Sequence, residues 1–314
     1  MSLQKQPLLK KITKGLTVGS VITGSTFFHG PPVLALGLTK LIKKSSKVDE
    51  ANINITNSWL SINNWLIDHI LPNTQWHISI DEDLDLNLQG RYLMTCNHQS
   101  WVDTTVNQYF GLTRMPLTRF FTKWELIFIP FVGQAFKILG FPMMKRHSKE
   151  QIAKNPQLKY RDMEEARKSC EQLLSQPFTL LNYLEGTRFT PEKHAQQQSP
   201  YQNLLKPKAG GLALALSILE NEIDALVDMT IVYPDGVPGY GEFWLGDVAQ
   251  IAVNLRKIDI PDWVRGGNYE DDAEYRARFQ KWVDQLWTEK DQLITQLKQQ
   301  VDAKSVHYDQ QINR

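Results

Sequence analysis

The spacing of hydrophobic positions changes along the chain, and each spacing predicts a different kind of element. From Leu16 to Thr39 no Asp, Glu, Lys or Arg occurs, and a bilayer is crossed by about 20 such residues. His29-Gly30-Pro31-Pro32 interrupts the run, and proline removes a helical hydrogen bond and crowds the preceding turn. Basic residues flank it on both sides, Lys5, Lys10, Lys11 and Lys14 before and Lys40, Lys43, Lys44 and Lys47 after. Positive charge favours the cytoplasmic side. A re-entrant hairpin with its tip at Gly30-Pro31-Pro32 satisfies both features; a single span is the alternative, and a signal peptide lacks a clean cleavage site. Over 53–71, Ile55, Trp59, Ile62, Leu66 and Ile70 recur at helical spacing. Trp59 and Trp65 suit a membrane interface, and a helix packed on the core fits the same pattern.

Short apolar runs then alternate with helical ones. Residues 76–80, 92–96, 178–184 and 225–233 read as strands, and 251–255 as a half-exposed strand. Residues 100–109, 160–175 and 210–219 read as helices, and 119–142, with Pro130, Gly133 and Gly140, as helix, turn and strand. Pro191, Pro200 and Pro207 mark 189–208 as a long loop or lid. Tyr275, Phe279, Trp282, Leu286, Leu293 and Leu297 form one stripe of a long C-terminal surface helix over 271–300. Strands alternating with helices argue for an α/β fold built on one sheet.

Composition narrows the class. The 314 residues are 42% hydrophobic, enough for one large domain with an appendage. A net charge of +1 speaks against binding nucleic acid over the whole surface. Two cysteines, Cys96 and Cys170, exclude a disulfide scaffold and an all-cysteine zinc site. A mean hydropathy of −0.36 excludes a polytopic membrane protein. Nine Trp and thirteen Phe direct attention to a membrane-facing surface.

Two clusters carry chemistry. Strand 92–96 runs into Asn97-His98-Gln99-Ser100-Trp101-Val102-Asp103. A carboxylate five residues after the histidine can bond one imidazole nitrogen across a strand-to-helix turn, fixing the tautomer and raising the basicity of the other nitrogen. Such a histidine can deprotonate an alcohol; alone, the spacing also fits a capping residue beside a packing histidine. Glu185-Gly186-Thr187-Arg188 ends the strand at 178–184, at the kind of carboxyl edge where open α/β sheets bind ligands; a surface turn is its plainer reading. Cys96, at the end of a buried strand, is expected to point into the core and not to serve as a nucleophile. No dinucleotide or phosphate-loop glycine motif is present, and the scattered histidines predict no metal site.

Together, Asn-His-x4-Asp and Glu-Gly-Thr-Arg resemble the glycerolipid acyltransferase family, the PlsC-like 1-acylglycerol-3-phosphate acyltransferases. Gly140-Phe141-Pro142-Met143-Met144-Lys145-Arg146 and Ile231-Val232-Tyr233-Pro234 match the family's blocks between and after the two motifs, and Lys123-Trp124-Glu125-Leu126 through Gly133 resembles its intervening segment. The resemblance covers about residues 90–235 and is closest to the lysocardiolipin acyltransferase-like branch. Tyr183-Leu184 departs from the Phe-Pro that many relatives carry. The resemblance implies His98 as general base, oriented by Asp103. It implies Arg146, Arg188 and Lys208 at the substrate phosphate, with Glu185, Gly186 and Thr187 lining the substrate site and Asn97 shaping the turn. Backbone N–H groups at the start of the helix after His98 would hold the oxyanion. The acceptor would be a lysophospholipid, first of all 1-acyl-glycerol-3-phosphate. The donor would be acyl-CoA or acyl carrier protein, with no cofactor and no metal. Residues 1–50 would insert into the membrane and 51–314 form the catalytic domain. The expected location is the cytoplasmic face of a bacterial inner membrane. A lipid-binding protein without turnover and a soluble thioesterase-like hydrolase are the alternatives from other classes.

Overall fold

The computed structural model of the chain describes residues 7–40, 42–43, 45–145, 149–155, 157–219 and 221–303. Two long helices come first, α1 (Leu8–Thr39) and α2 (Ser46–Ile70). The sheet strands are β1 (Gln75–Ile80), β2 (Arg91–Cys96), β3 (Thr118–Phe120), β6 (Phe178–Tyr183), β7 (Ala225–Val232) and β8 (Gln250–Ile258), in the order β1-β8-β7-β2-β6-β3. The sheet is mixed: β7 and β8 pair antiparallel, and every other neighbouring pair is parallel. A separate parallel pair, β4 (Thr122–Lys123) with β5 (Met143–Met144), stands beside it. The remaining helices are α3 (Val102–Gly111), α4 (Val132–Ile138), α5 (Lys149–Lys154), α6 (Gln157–Leu173), α7 (Pro191–Gln197), α8 (Gly210–Leu219), α9 (Tyr240–Leu245) and α10 (Ala273–Ala303).

The central strands β2, β6 and β7 are continuous apolar runs because helices cover both faces of the sheet. One layer of core joins β2, β7 and β8 to α2, α3 and α9 through Leu66, Val106, Met229 and Phe243. The other joins β6 and β7 to α8 and α10 through Phe178, Leu212, Leu216, Phe279 and Trp287. Buried ionic groups fasten α10 to the sheet. Asp228 of β7 meets Lys290 at 2.9 Å and Arg256 at 3.0 Å, and Thr95 donates to it at 2.6 Å. Lys290 also donates to the Met229 carbonyl at 2.7 Å.

Three sequence expectations need correction. First, α1 does not break at His29-Gly30-Pro31-Pro32; the helix continues to Thr39, and the chain reverses between α1 and α2. Tertiary packing overrides the local cost of the prolines. Val33 is fully buried, His29 stacks on Trp59 of α2, and a Cβ on Gly30 would lie 2.6 Å from Phe131. Second, 189–208 is not wholly loop, because Thr190 caps α7 by accepting from the Lys193 N–H at 3.3 Å, with Pro191 in the first turn. Third, β8 is buried rather than half-exposed, since it lies between β1 and β7 with Ile251, Val253 and Leu255 fully covered.

The region 119–142 forms an apolar platform. Phe120, at the end of β3, meets Phe136 of α4 and Phe141 in edge-to-face contacts at 5.8 and 5.2 Å. Phe131 has φ 63 and ψ −50, a positive-φ backbone rare for a bulky residue, and its ring lies 5.3 Å from that of Phe27. The platform is thereby locked against α1.

Candidate active site

The three parallel strands β6, β2 and β7 end at one edge of the sheet, so the loops after Cys96, Tyr183 and Val232 converge there. Asn97 extends the β2–β7 ladder by one side chain. Its Nδ2 donates to the Ile231 carbonyl at 2.8 Å, and its Oδ1 accepts from the Ile231 N–H at 2.9 Å. This anchors the turn that presents His98.

His98 Nδ1 lies 3.0 Å from Asp103 Oδ2. The same oxygen accepts from the N–H groups of Gln99 at 2.6 Å and Ser100 at 2.8 Å, and Oδ1 accepts from the Tyr233 hydroxyl at 2.7 Å. Asp103 is fully buried while the His98 side chain is 15% exposed. With a donor on each oxygen and two backbone amides among them, the carboxylate is held in place and in turn fixes the imidazole. Because Asp103 takes Nδ1, Nε2 is the nitrogen left for a substrate. The Tyr183 ring stacks on the imidazole, with centroids 4.1 Å apart and planes 21° apart.

Glu185 joins the two motifs. One carboxyl oxygen accepts from the His98 N–H at 2.7 Å and the other from the Leu205 N–H at 2.9 Å. Its complete burial pushes the carboxyl up to about 8. A second tie runs from the Phe189 N–H to the His98 carbonyl at 2.7 Å. Gly186 sits at φ +66, where a Cβ would meet the Lys208 Nζ at 3.1 Å; the left-handed turn needs glycine and lets the lysine lie across it. Arg188 is exposed and lies over the Trp101 ring at 4.7 Å. Lys193 donates to the Thr187 hydroxyl at 2.8 Å and to the Arg188 carbonyl at 3.0 Å. Burial pushes the Cys96 thiol far above its usual range, so it is a core residue and not a nucleophile.

His98, Asp103, Asn97, Glu185, Gly186, Thr187, Arg188 and Lys208 therefore stand together at one edge, whereas Arg146 lies outside the described residues. Around the start of α3 four amides have partners within the protein. The Gln99 and Ser100 amides serve Asp103, the Val102 amide serves the Ser100 hydroxyl, and the Asp103 amide serves the Ser100 carbonyl. Sequence reasoning missed Tyr233, Trp101 and Lys193 as members of the site. The only trace of Tyr183 was its departure from the family pattern.

The fold and site define a class: an α/β protein with a carboxylate-oriented histidine at the carboxyl edge of its parallel strands, flanked by cationic side chains. The family profile described as Acyltransferase matches residues 77–234, and the chain belongs to that family. The chain is 25% identical over 253 residues to the 2-acyl-1-lysophosphatidylinositol acyltransferase of Saccharomyces cerevisiae, a match covering 66% of this chain and 62% of the yeast protein. The match thus spans less than two thirds of that relative. The crystal structure of the 1-acyl-sn-glycerophosphate (LPA) acyltransferase PlsC from Thermotoga maritima superposes with a TM-score of 0.50 at 16% identity, over 90% of this chain and 97% of that one. At that identity the likeness concerns the fold.

Proposed function

We propose that the protein transfers an acyl group from an acyl thioester to the free hydroxyl of a lysophospholipid, with 1-acyl-glycerol-3-phosphate as acceptor and phosphatidic acid as product. The observation that carries this reading is the His98–Asp103 pair at 3.0 Å, on the same strand edge as the turn that carries Arg188 and is crossed by Lys208. Nε2 takes the proton from the acceptor hydroxyl, and the oxygen attacks the thioester carbonyl. The tetrahedral intermediate expels the thiolate, which takes the proton back from His98. A thioester is already activated, so no acyl-enzyme is required. Arg188 offers the phosphate a planar, bidentate donor, and Lys208 a second positive charge. The donor is acyl-CoA or acyl carrier protein.

A membrane-surface location supports the same reading. Extracting a lipid chain into water costs about 0.8 kcal/mol per CH₂, so a docked enzyme avoids a large penalty. Residues 1–50 supply the anchor in this reading, and 51–314 the catalytic domain. In α1, Lys11 pairs with Asp247 at 2.5 Å and Lys14 donates to the Ile70 carbonyl at 2.7 Å. At its other end Lys40 donates to the Ile138 carbonyl at 3.3 Å. A helix tied to the body at both ends favours lying in one leaflet over a free span. The cytoplasmic face of a bacterial inner membrane fits the basic flanks. A lysophospholipid with a larger headgroup is the second reading, favoured by the activity named for the yeast relative.

The test is acyl transfer from a long-chain acyl-CoA to lysophosphatidic acid, lysophosphatidylinositol and lysocardiolipin, comparing wild type with His98→Ala. Thiol release with diacyl product on lysophosphatidic acid, lost in the variant, is the expected outcome. Thiol release without a diacyl product would instead make the protein a hydrolase, and full turnover by His98→Ala would remove the proposed base.

A further inference from the structure

We infer that Tyr233 is a positioning residue of the dyad, setting the orientation of Asp103 and, through it, the basicity of His98. The inference rests on the reading of His98 as the base. Tyr233 is the first residue after β7 and is buried. Its hydroxyl donates to Asp103 Oδ1 at 2.7 Å and is the only donor to that oxygen among the described residues. The other oxygen receives His98 Nδ1 and two backbone amides. An aspartate carboxylate rotates broadly about its last torsion, and donors on one oxygen leave its plane free to tilt. Tyr233 pins the second oxygen and so fixes the plane against which the imidazole is held. It also draws off part of the negative charge that would otherwise bear on the imidazolium.

Burial and the adjacent Asp103 push the Tyr233 phenol well above its usual range, so it remains a donor across the pH range of any histidine base. The other titratable or charged groups around the dyad include Cys96 from β2, Tyr183 from β6, Glu185 and Arg188 from the turn after it, Lys208 across that turn, and Lys290 of α10 with Asp228 of β7. Removing one hydroxyl leaves all of them in place.

The experiment titrates the His98 imidazole by NMR of histidine-labelled full-length protein in micelles, with its signals assigned by their absence from His98→Ala. The comparison is wild type against Tyr233→Phe. Without the phenol, Asp103 bears more charge on His98, and the titration should move to higher pH by about half a unit. In parallel, kcat for acyl transfer should fall about tenfold with KM little changed, and the acid limb of the rate profile should move with the NMR titration. Site-specific replacement of Tyr233 by 3-fluorotyrosine, a stronger donor of nearly the same shape, should move the titration the opposite way. An unchanged or lowered titration in Tyr233→Phe, with or without a loss of thermal stability, overturns the inference and leaves a packing role. The NMR measurement needs no substrate, so a protein that fails to transfer acyl groups would refute the proposed activity without deciding this question.

Discussion

At the scale of single residues, Glu185 links proton uptake to folding. It accepts two backbone N–H bonds from distant loops, yet burial pushes its carboxyl up from 4.5 to about 8. Below the unfolded value the group is protonated in both states. As pH rises toward 8, the unfolded chain releases a proton that the folded chain retains, so stability falls by at most about 1.4 kcal/mol per pH unit. Glu185→Gln lacks this dependence. It also aims an amide NH₂ at one of the two backbone donors, which costs about 1–3 kcal/mol. Thermal unfolding should therefore find Glu185→Gln less stable than wild type at pH 5, with the gap narrowing toward pH 8. A gap constant over that range would mean that Glu185 is ionised throughout. The His98–Asp103 contact was legible in the sequence because both partners lie on one strand-to-helix turn. The Asp103–Tyr233 contact was not, because no local rule ties position 103 to position 233; the strand order alone joins them.

At the scale of elements, β2, β6 and β7 were legible because a strand covered on both faces leaves a continuous apolar run between turn residues. The α1 prolines misled for a complementary reason: a local rule was applied where α2 and α4 hold the helix from outside. The cap of α7 was written plainly as Thr190-Pro191, but the surrounding prolines read as loop. The docking of α10 was legible only as an apolar stripe, and the ion cluster beneath it was hidden. Lys290 is fully buried and Asp228 nearly so, so Lys290→Met removes one partner from a buried pair and should cost about 3 kcal/mol. The double variant Lys290→Met with Asp228→Asn should cost less than the sum of the single changes by about 1 kcal/mol or more, read by denaturant unfolding as a double-mutant cycle. Additive costs would show that Lys290 acts through its bonds to the Met229 carbonyl and the Thr230 hydroxyl rather than through Asp228.

At the scale of the whole molecule, the platform built from 119–142 joins the sheet to the buried side of α1, where Phe131 faces Gly30 and Ile138 faces Gly37. Phe120 lies at the end of β3, paired with Leu181 two residues before Tyr183. On the far side, Phe131 meets Phe27. Phe28 and Phe128 project from this junction, 76% and 77% exposed, and Ile129 is 44% exposed. These exposed side chains lie on α1 and on the loop before α4, the two segments that the Phe27–Phe131 contact joins. If they enter the lipid, each phenylalanine contributes about 1.5 kcal/mol to partitioning. Phe28→Ser combined with Phe128→Ser should then weaken sedimentation with anionic vesicles about a hundredfold. Neither residue supports the core, so the unfolding temperature should hold, and turnover of a short-chain, monomeric acceptor should persist while that of a bilayer-embedded one falls. A double variant that sediments like wild type would shift the anchor to the N-terminal part of α1, where Leu8, Leu9 and Leu16 are also exposed. Retained binding with lost turnover on embedded acceptor would separate anchoring from substrate capture, assigning the first to α1 and the second to the platform.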